Sequence, residues 1–271
     1  MISAIIPTYR NPSYLDLCLK SAVENKVLPE TQIIVIVDGF LEESREVIKK
    51  YQSQIGLLEL PQNRGMSNAL NMGVWQTENP IVFILNDDNV FCKEWDKRLM
   101  PFTDEIMDKT VVTVNQVEPD PSIFGFPVNN LGRNADEFQY DQFIEFEPTI
   151  AQHKYDPDGR IFPFLISKKN YMMIGGFDLY YQSPFYVDVD TWLKMELADL
   201  QFKRIYDLHF YHFGSRATKM GPEGDRFRKS EGLAGQQFMY KWGYVPNIVS
   251  NTKRNNTKYP EASPVKGIKY E

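Results

Sequence analysis

The chain has 271 residues, of which 42% are hydrophobic and 24% are charged, and its formal net charge is -6. These values are ordinary for a globular protein and argue against disorder or a fibrous repeat. An acidic chain offers no broad cationic field to a phosphate backbone, so the composition also argues against nucleic acid as the main partner. Small molecules are the better candidates.

The start of the chain and its cysteine content predict a cytoplasmic protein. Met1 leads directly into a strand-like segment, without a basic stretch or an apolar signal segment. No apolar run approaches the ~18 residues of a membrane span. The only cysteines, Cys18 and Cys92, are far apart and lack metal-ligand spacing, as a reducing compartment permits.

The first half of the chain alternates short apolar runs with amphipathic segments, which is typical of an α/β fold with a mostly parallel sheet. Asn11 and Pro12 suit the start of a first crossover helix, and a second such helix is predicted after Gly65. The predicted strands are SAIIP, QIIVIV, GLLEL and IVFIL.

The second half is less regular. From Glu118 to Arg160 the residues show no clear period, so we expect an irregular excursion and not another βα unit. Beyond it we predict a strand in RIFPFLIS, a helical turn from Lys168 to Ile174, a helix from about Val189 to Ala198, and the last strands in FKRIYDLHFYHF.

We interpret residues 1–249 as a single domain, with a ligand-binding half at 1–117 and a second half at 118–249. Residues 250–271 form a polar C-terminal tail that we expect to be mobile. The segment from Gly214 to Gly232 is rich in glycine and basic residues, which suits a flap that closes over phosphates. A solvated surface loop is the plainer alternative. The basic residues are Arg216, Lys219, Arg226, Arg228 and Lys229.

Three of the predicted strands end in polar residues, in the segments PTYRN, VDG and NDDN. Ligands of open parallel sheets bind outside the carboxyl ends of the strands, so we expect these residues to converge on one edge. Turn chemistry alone could explain any one of them, but their joint placement favours a binding site. The residues concerned are Thr8, Tyr9, Asp38, Asp87 and Asp88.

Asp87 and Asp88 are adjacent carboxylates, which repel each other in a half-buried site unless a cation compensates them. The pair therefore predicts a hard divalent ion, Mn²⁺ or Mg²⁺, bound through oxygen ligands. Such an ion usually keeps waters and binds one or two carboxylates together with substrate phosphates, so we also expect a diphosphate ligand.

Several segments in order resemble the nucleotide-sugar half of family 2 glycosyltransferases: IIPTYRNPSYLDLCLKS, IIVIVDG, NRGMSNALNMG and FILNDDN. The resemblance continues through MIGGFD, VDVDTWLKMEL and YHFGS and covers roughly Ile2 to Ser215. It implies the GT-A fold, a Rossmann-like central sheet with flanking helices, and a nucleoside-diphosphate sugar as donor.

The resemblance also implies roles for individual residues. Tyr9 would lie against the base, which Asp38 would hydrogen-bond, and Asp88 would bind the metal. Asp87 would contact the ribose or the metal, and His212 in YHFGS matches a histidine that completes the metal site in some relatives; packing is its alternative role. Further donor contacts are carried over to Pro7, Thr8, Arg10 and Arg64.

The chain departs from the family pattern at two positions. Asn86 stands where the usual Asp-x-Asp motif has its first carboxylate, so the assignment of oxygens to atoms is open. Val187 replaces the glutamate of the usual Glu-Asp pair, and Asp188 keeps the aspartate. Asp188 is then the candidate general base, although it would also serve as a helix N-cap, with Asp190 as a dipole-favoured acid in the first turn.

Together these observations predict an inverting, metal-dependent glycosyltransferase that transfers a sugar from a nucleoside-diphosphate sugar to a glycan or other hydroxyl acceptor. A retaining glycosyltransferase is the first alternative. A sugar nucleotidyltransferase would be expected to open with a glycine-rich phosphate loop, which IIPTYRNPS lacks. The alternative that is not an enzyme is a module that binds a nucleotide or glycan without turnover. For the base of the donor nucleotide we favour a pyrimidine.

Overall fold

The computed structural model describes residues 1–157, 159–181, 183–214 and 224–243. The apolar runs of the first half form the four predicted parallel strands, which pair in the order β3-β2-β1-β4. Three of them are buried along nearly their whole length, whereas β3 lies at the sheet edge and is partly exposed. The strands are β1 (Ile2–Thr8), β2 (Gln32–Asp38), β3 (Gly56–Leu60) and β4 (Ile81–Ile84).

Within the described residues the sheet continues to nine strands, in the order β3-β2-β1-β4-β8-β6-β9-β5, with β7 paired to β9. β8 is antiparallel to β4 and to β6, while β9 runs parallel to β6. Strand β6 is not predicted from the sequence. The added strands are β5 (Asn89–Val90), β6 (Thr110–Val117), β7 (Tyr155–Pro157), β8 (Phe164–Ser167) and β9 (Gln201–His212).

Helices cover both faces of the sheet, because alternate residues of each strand point to opposite sides. One core cluster includes the buried faces of α1 and α2, and the other includes those of α3 and α8. The helices are α1 (Pro12–Glu24), α2 (Leu41–Tyr51), α3 (Met66–Gln76), α4 (Trp95–Leu99), α5 (Thr103–Asp108), α6 (Tyr140–Ile150), α7 (Lys168–Met173), α8 (Val187–Leu197) and α9 (Gly224–Trp242), with a 3₁₀ turn at Met100–Phe102.

The expectation of an irregular excursion from Glu118 to Arg160 is wrong for its second part, which contains α6 and β7. Phe143 and Glu147 lie one helical turn apart, and both are fully buried. Glu147 interrupts the apolar stripe that would mark this helix in the sequence. Its partner Arg98 belongs to α4, so the sequence around α6 does not show why a glutamate is buried there.

A bulge in β9 sets the position of its last residues. The pairing with β6 shifts from Val114 opposite Ile205 to Asn115 opposite His209, so part of β9 loses its ladder partners. Arg98 donates to the carbonyl of Asp207, and Glu147 accepts from the backbone N–H of His209 at 2.8 Å. Arg98 and Glu147 also form an ion pair, so this pair holds the bulge.

Helix α9 is held to α8 by Asp190, which is fully buried. Asp190 Oδ1 accepts from Trp242 Nε1 at 2.7 Å and from the Tyr181 hydroxyl at 3.1 Å, and it lies 2.6 Å from Lys241 Nζ. Asp190 therefore has a structural role at the junction of the two helices. Among the described residues, no helix is long and apolar enough to cross a membrane.

Part of the predicted flap and tail cannot be compared with the structure. Arg216 and Lys219, the side chain of Arg228 and the tail 250–271 lie outside the described residues. Arg226 and Lys229 belong to α9, near its start. The division of the domain into halves at 117/118 stays a prediction.

Candidate active site

The residues that follow β1 and β4 meet at the carboxyl edge of the sheet. Thr8 Oγ1 donates to Asp87 Oδ2 at 2.6 Å, and Asn11 Nδ2 donates to Asp87 Oδ1 at 3.1 Å. Burial and then the neighbouring charge of Asp88 raise the pKa of Asp87 to about 7. Asn11, which is next to α1, makes no side-chain cap there and is instead a partner of Asp87 that the sequence analysis misses.

Asp88 and His212 lie side by side in this acidic group. The short strand β5 pairs Asn89 with His212, which places His212 Nε2 at 3.6 Å from Asp88 Oδ2. His212 Nδ1 lies 2.7 Å from Glu118 Oε1 on the other side of the ring. Asp88 is 5% exposed, and in the part of the chain that the structure describes its Oδ1 has no hydrogen-bond partner.

Burial and neighbouring charges both shift the pKa values in this group. Burial raises the pKa of Asp88, and the nearby His212 opposes that rise. Burial alone would lower the pKa of His212, but the charges of Asp88 and Glu118 raise it above its usual value. The site therefore concentrates negative charge around one imidazole, which is the arrangement that attracts a cation.

The donor set fits a divalent metal that is completed by a substrate. The described residues contain no cluster of three or more His, Cys, Asp or Glu side chains arranged to hold a metal. Asp88 offers a buried carboxylate oxygen without a partner, and His212 offers a ring nitrogen beside it. Two protein ligands suffice for Mg²⁺ or Mn²⁺ when phosphate oxygens and waters supply the rest. Glu118, which orients the imidazole, is missed by the sequence analysis because β6 is missed.

Asp38 holds the loop that precedes α3. Its Oδ1 accepts from the backbone N–H of Arg64 at 2.6 Å, and its Oδ2 accepts from that of Gly65 at 2.9 Å. The residue is 3% exposed, and burial raises its pKa. Each carboxylate oxygen keeps one further lone pair, so a hydrogen bond to a base remains compatible with this geometry. That role, like the donor contact assigned to the exposed Arg64 side chain, stays a prediction.

Tyr9 and Arg10 follow Pro7 and Thr8 and lie beside an aromatic residue that the sequence analysis does not single out. The ring centroids of Tyr9 and Phe40 are 5.8 Å apart with an interplanar angle of 75°. The guanidinium of Arg10 lies 4.9 Å from the centre of the Phe40 ring, and its Nε donates to Glu43 at 2.9 Å. Arg226 of α9 donates to the Tyr9 hydroxyl at 3.4 Å.

Asp188 occupies the second position of α8. The helix begins at Val187 after Tyr186, so the expectation that Asp188 is the N-cap is wrong. Asp188 is half-buried, and its Oδ1 accepts from the backbone N–H of Val189 at 2.8 Å. Burial raises its pKa. Among the described contacts none joins Asp188 to Asp88 or His212, so its place in the reaction stays a prediction.

Comparisons with known proteins agree with this architecture. The sequence model described as glycosyl transferase family 2 matches residues 3–186. An uncharacterized glycosyltransferase of Haemophilus influenzae is 25% identical over 210 residues, which are 74% of this chain and 70% of the relative. An uncharacterized glycosyltransferase of Mycoplasma genitalium is 31% identical over 106 residues, 34% of each chain.

Among solved structures, residues 1–349 of S. aureus TarS superpose with a TM-score of 0.59 at 16% identity. The match covers 88% of this chain but only 65% of that fragment, so the chain spans just under two thirds of its length. The same fragment in complex with UDP-GlcNAc gives a TM-score of 0.56. The fold is therefore the predicted GT-A fold, and the chain belongs to glycosyl transferase family 2, whose members are glycosyltransferase enzymes.

Proposed function

We propose that this glycosyltransferase is inverting and requires a divalent metal, and that it transfers a sugar from a nucleoside-diphosphate sugar to a hydroxyl group of a glycan acceptor. The observation that carries the proposal is the buried, unpartnered Oδ1 of Asp88 beside the imidazole of His212. An unpaired buried carboxylate oxygen is costly in a folded protein. Its presence at the ligand-binding edge of the sheet is accounted for by a cation that arrives with the donor.

The donor is proposed to lie along the carboxyl edge between α1 and α3. Thr8 and Asn11 hold Asp87 in place through its two oxygens, so Asp87 is positioned to accept from the ribose. Asp38 is proposed to read the base. Uracil is the first base to test, because it offers one N–H to an acceptor such as Asp38 and because TarS has been solved with UDP.

The diphosphate is proposed to be held at Asp88 and His212 through Mn²⁺ or Mg²⁺. When bound, the metal would offset negative charge on the diphosphate. The chain's own residues position it: Asp88 is fixed after β4, and Glu118 holds the ring of His212 from the opposite side. A carboxylate that accepts from the second ring nitrogen of a ligating histidine fixes its tautomer and orientation.

Asp188 is proposed as the general base. The acceptor hydroxyl loses its proton to the Asp188 carboxylate and forms a new bond to the anomeric carbon, while the bond from that carbon to the diphosphate oxygen breaks with its electron pair. Attack from the face opposite the diphosphate inverts the anomeric centre. Burial raises the pKa of Asp188, which strengthens its carboxylate as a base.

The test compares Asp188→Asn with Asp104→Asn. Asp104 is also an acid in the first turn of a helix, but it is exposed on α5. We expect Asp188→Asn to lower transfer from a UDP-sugar by about 10²- to 10⁴-fold and to leave UDP affinity unchanged. Asp104→Asn should behave as wild type. Wild-type turnover in Asp188→Asn would refute the base assignment.

The stereochemistry of the product tests whether the transfer inverts the anomeric carbon. NMR of the new glycosidic bond should show the anomeric configuration opposite to that of the donor. Retention would favour a retaining glycosyltransferase. Nucleotide binding without transfer to any of a panel of glycan acceptors, and without hydrolysis of the donor, would favour the binding module.

A further inference from the structure

Phe40 stands at a position where the fold gains little from a phenylalanine. It follows Gly39 after β2 and is the N-cap residue of α2, with a φ of 58° in the left-handed region. Residues other than glycine, asparagine and aspartate seldom adopt this conformation. Its side chain makes no cap hydrogen bond, and the residue is 52% exposed. An asparagine here would tolerate the backbone angle and could cap the helix.

The surroundings of the ring are nevertheless well defined. Tyr9 meets it edge to face, and the Arg10 guanidinium lies over it, held in turn by Glu43 at the start of α2. The two rings thus make a corner, with planes at 75°, in which Phe40 is 52% exposed. Asp38 is two residues before Phe40 in the chain, so the corner lies beside the carboxylate proposed to read the base.

Single exposed apolar residues are common on protein surfaces and need no explanation. Phe40 differs because its backbone is strained and it supplies no N-cap hydrogen bond to α2. Its ring is nevertheless held in place by Tyr9 and Arg10. Backbone strain of this kind clusters at active sites and ligand-binding sites, although Glu94 and Tyr186 also precede helices in the left-handed conformation. A rigid aromatic surface also lowers the entropy cost of binding a flat ligand.

We propose that Phe40 is a nucleobase-binding residue, which with Tyr9 forms an aromatic corner that holds the base of the donor. The base ring lies against one of the two side chains and directs its edge toward the other, as in offset and T-shaped aromatic pairs. This inference rests on the proposed nucleotide-sugar function. It assigns affinity for the base to a residue outside the family motifs found in the sequence.

The test uses Phe40→Asn and two ligands. UDP carries the base, and inorganic pyrophosphate lacks it; both are titrated calorimetrically with Mn²⁺. Loss of a base–aromatic contact should weaken UDP binding by about 5- to 160-fold. Pyrophosphate affinity should not change. Thermal unfolding of Phe40→Asn should occur at the same or a higher temperature than in wild type, because asparagine suits the left-handed N-cap.

Trp75→Ala is the matched control. Trp75 is 67% exposed near the end of α3, which runs away from the carboxyl edge, so its loss should leave both affinities unchanged. Phe40→Tyr should bind UDP nearly as well as wild type.

Each remaining outcome overturns the proposal in a recognisable way. Unchanged UDP affinity in Phe40→Asn would show that the ring does not contact the base. Equal weakening of UDP and pyrophosphate, or a fall in the unfolding temperature, would assign Phe40 to the fold and not to the base. If wild type binds none of UDP, GDP, dTDP and CDP, the proposed function fails and this inference fails with it. If wild type binds UDP and Phe40→Asn binds it equally well, only this inference fails.

Discussion

Removal of Glu147 should destabilise the protein and disturb the strand that carries His212. Glu147 is fully buried, forms a two-point ion pair with Arg98 at 2.7 and 3.0 Å, and accepts from the backbone N–H of His209. Arg98 also donates to the Asp207 carbonyl inside the β9 bulge. The pair thus satisfies backbone groups that the bulge removes from the β6 ladder.

The expected loss in the free energy of unfolding depends on the groups that Glu147→Leu leaves without a partner. Loss of one partner from a buried ion pair typically costs ~3–5 kcal/mol. The Arg98 side chain is 22% exposed and can be partly rehydrated, whereas the His209 N–H stays buried without its acceptor. We therefore expect a loss of about 3 kcal/mol in the free energy of unfolding, near the lower end of that range.

Urea unfolding followed by circular dichroism measures this loss. The control is Asp120→Asn, which breaks an exposed pair with Arg133 at 2.7 Å, with side chains 45% and 44% exposed, and should cost less than about 1 kcal/mol. The double variant Arg98→Met with Glu147→Leu should lose less than the sum of the single losses, because no charge is left unpaired. A cost of Glu147→Leu no larger than that of the control would show that the buried pair does not stabilise the bulge.

Three further predictions concern the acidic site and α9. In metal-free protein, the folded chain keeps a proton on Asp87 up to about pH 7, whereas the unfolded chain releases it near pH 4, so stability should fall as pH rises through this window, by at most ~1.4 kcal/mol per unit. The raised pKa values of Asp88 and His212 act in the same direction. The difference in the free energy of unfolding between wild type and Asp87→Asn, measured in urea with EDTA, isolates the contribution of Asp87. A difference that does not change with pH would contradict this prediction. Glu118→Gln should lower Mn²⁺ affinity in the presence of UDP by roughly 10-fold or more, because the imidazole loses its orienting carboxylate; unchanged affinity in calorimetry would rule this role out. Asp190→Ala should speed amide hydrogen exchange in α9, and equal protection in the variant would show that Asp190 does not anchor the helix.

The parallel half of the sheet could be predicted because β1, β2 and β4 are apolar at nearly every position and end in polar residues. The contact between Thr8 and Asp87 follows directly from that pattern, since neighbouring parallel strands share an edge. Strand β6 is harder to predict, because its polar residues Asn115 and Gln116 are buried. Asn115 accepts from Arg204 of β9, a partner that the sequence order does not reveal.

The second part of the site depends on contacts between distant segments. Glu118 and His212 are 94 residues apart, and the bulge that brings His212 to Asp88 is held by Arg98 and Glu147 from two other elements. No local pattern encodes such a register shift, because the energy that fixes it comes from tertiary hydrogen bonds and burial. The backbone angle of Phe40 is equally hidden, because a phenylalanine gives no local signal for the left-handed conformation.

Asp88 and His212 are proposed to bind a nucleoside diphosphate through a divalent metal. Calorimetric titration with UDP, GDP, dTDP and CDP, each with Mn²⁺ and again with EDTA, tests it most directly when wild type is compared with Asp88→Asn. We expect wild type to bind one nucleotide tightly with Mn²⁺ and weakly with EDTA, and Asp88→Asn to lose the difference between the two conditions. Equal binding with Mn²⁺ and EDTA, or the same dependence on Mn²⁺ in Asp88→Asn, would contradict it.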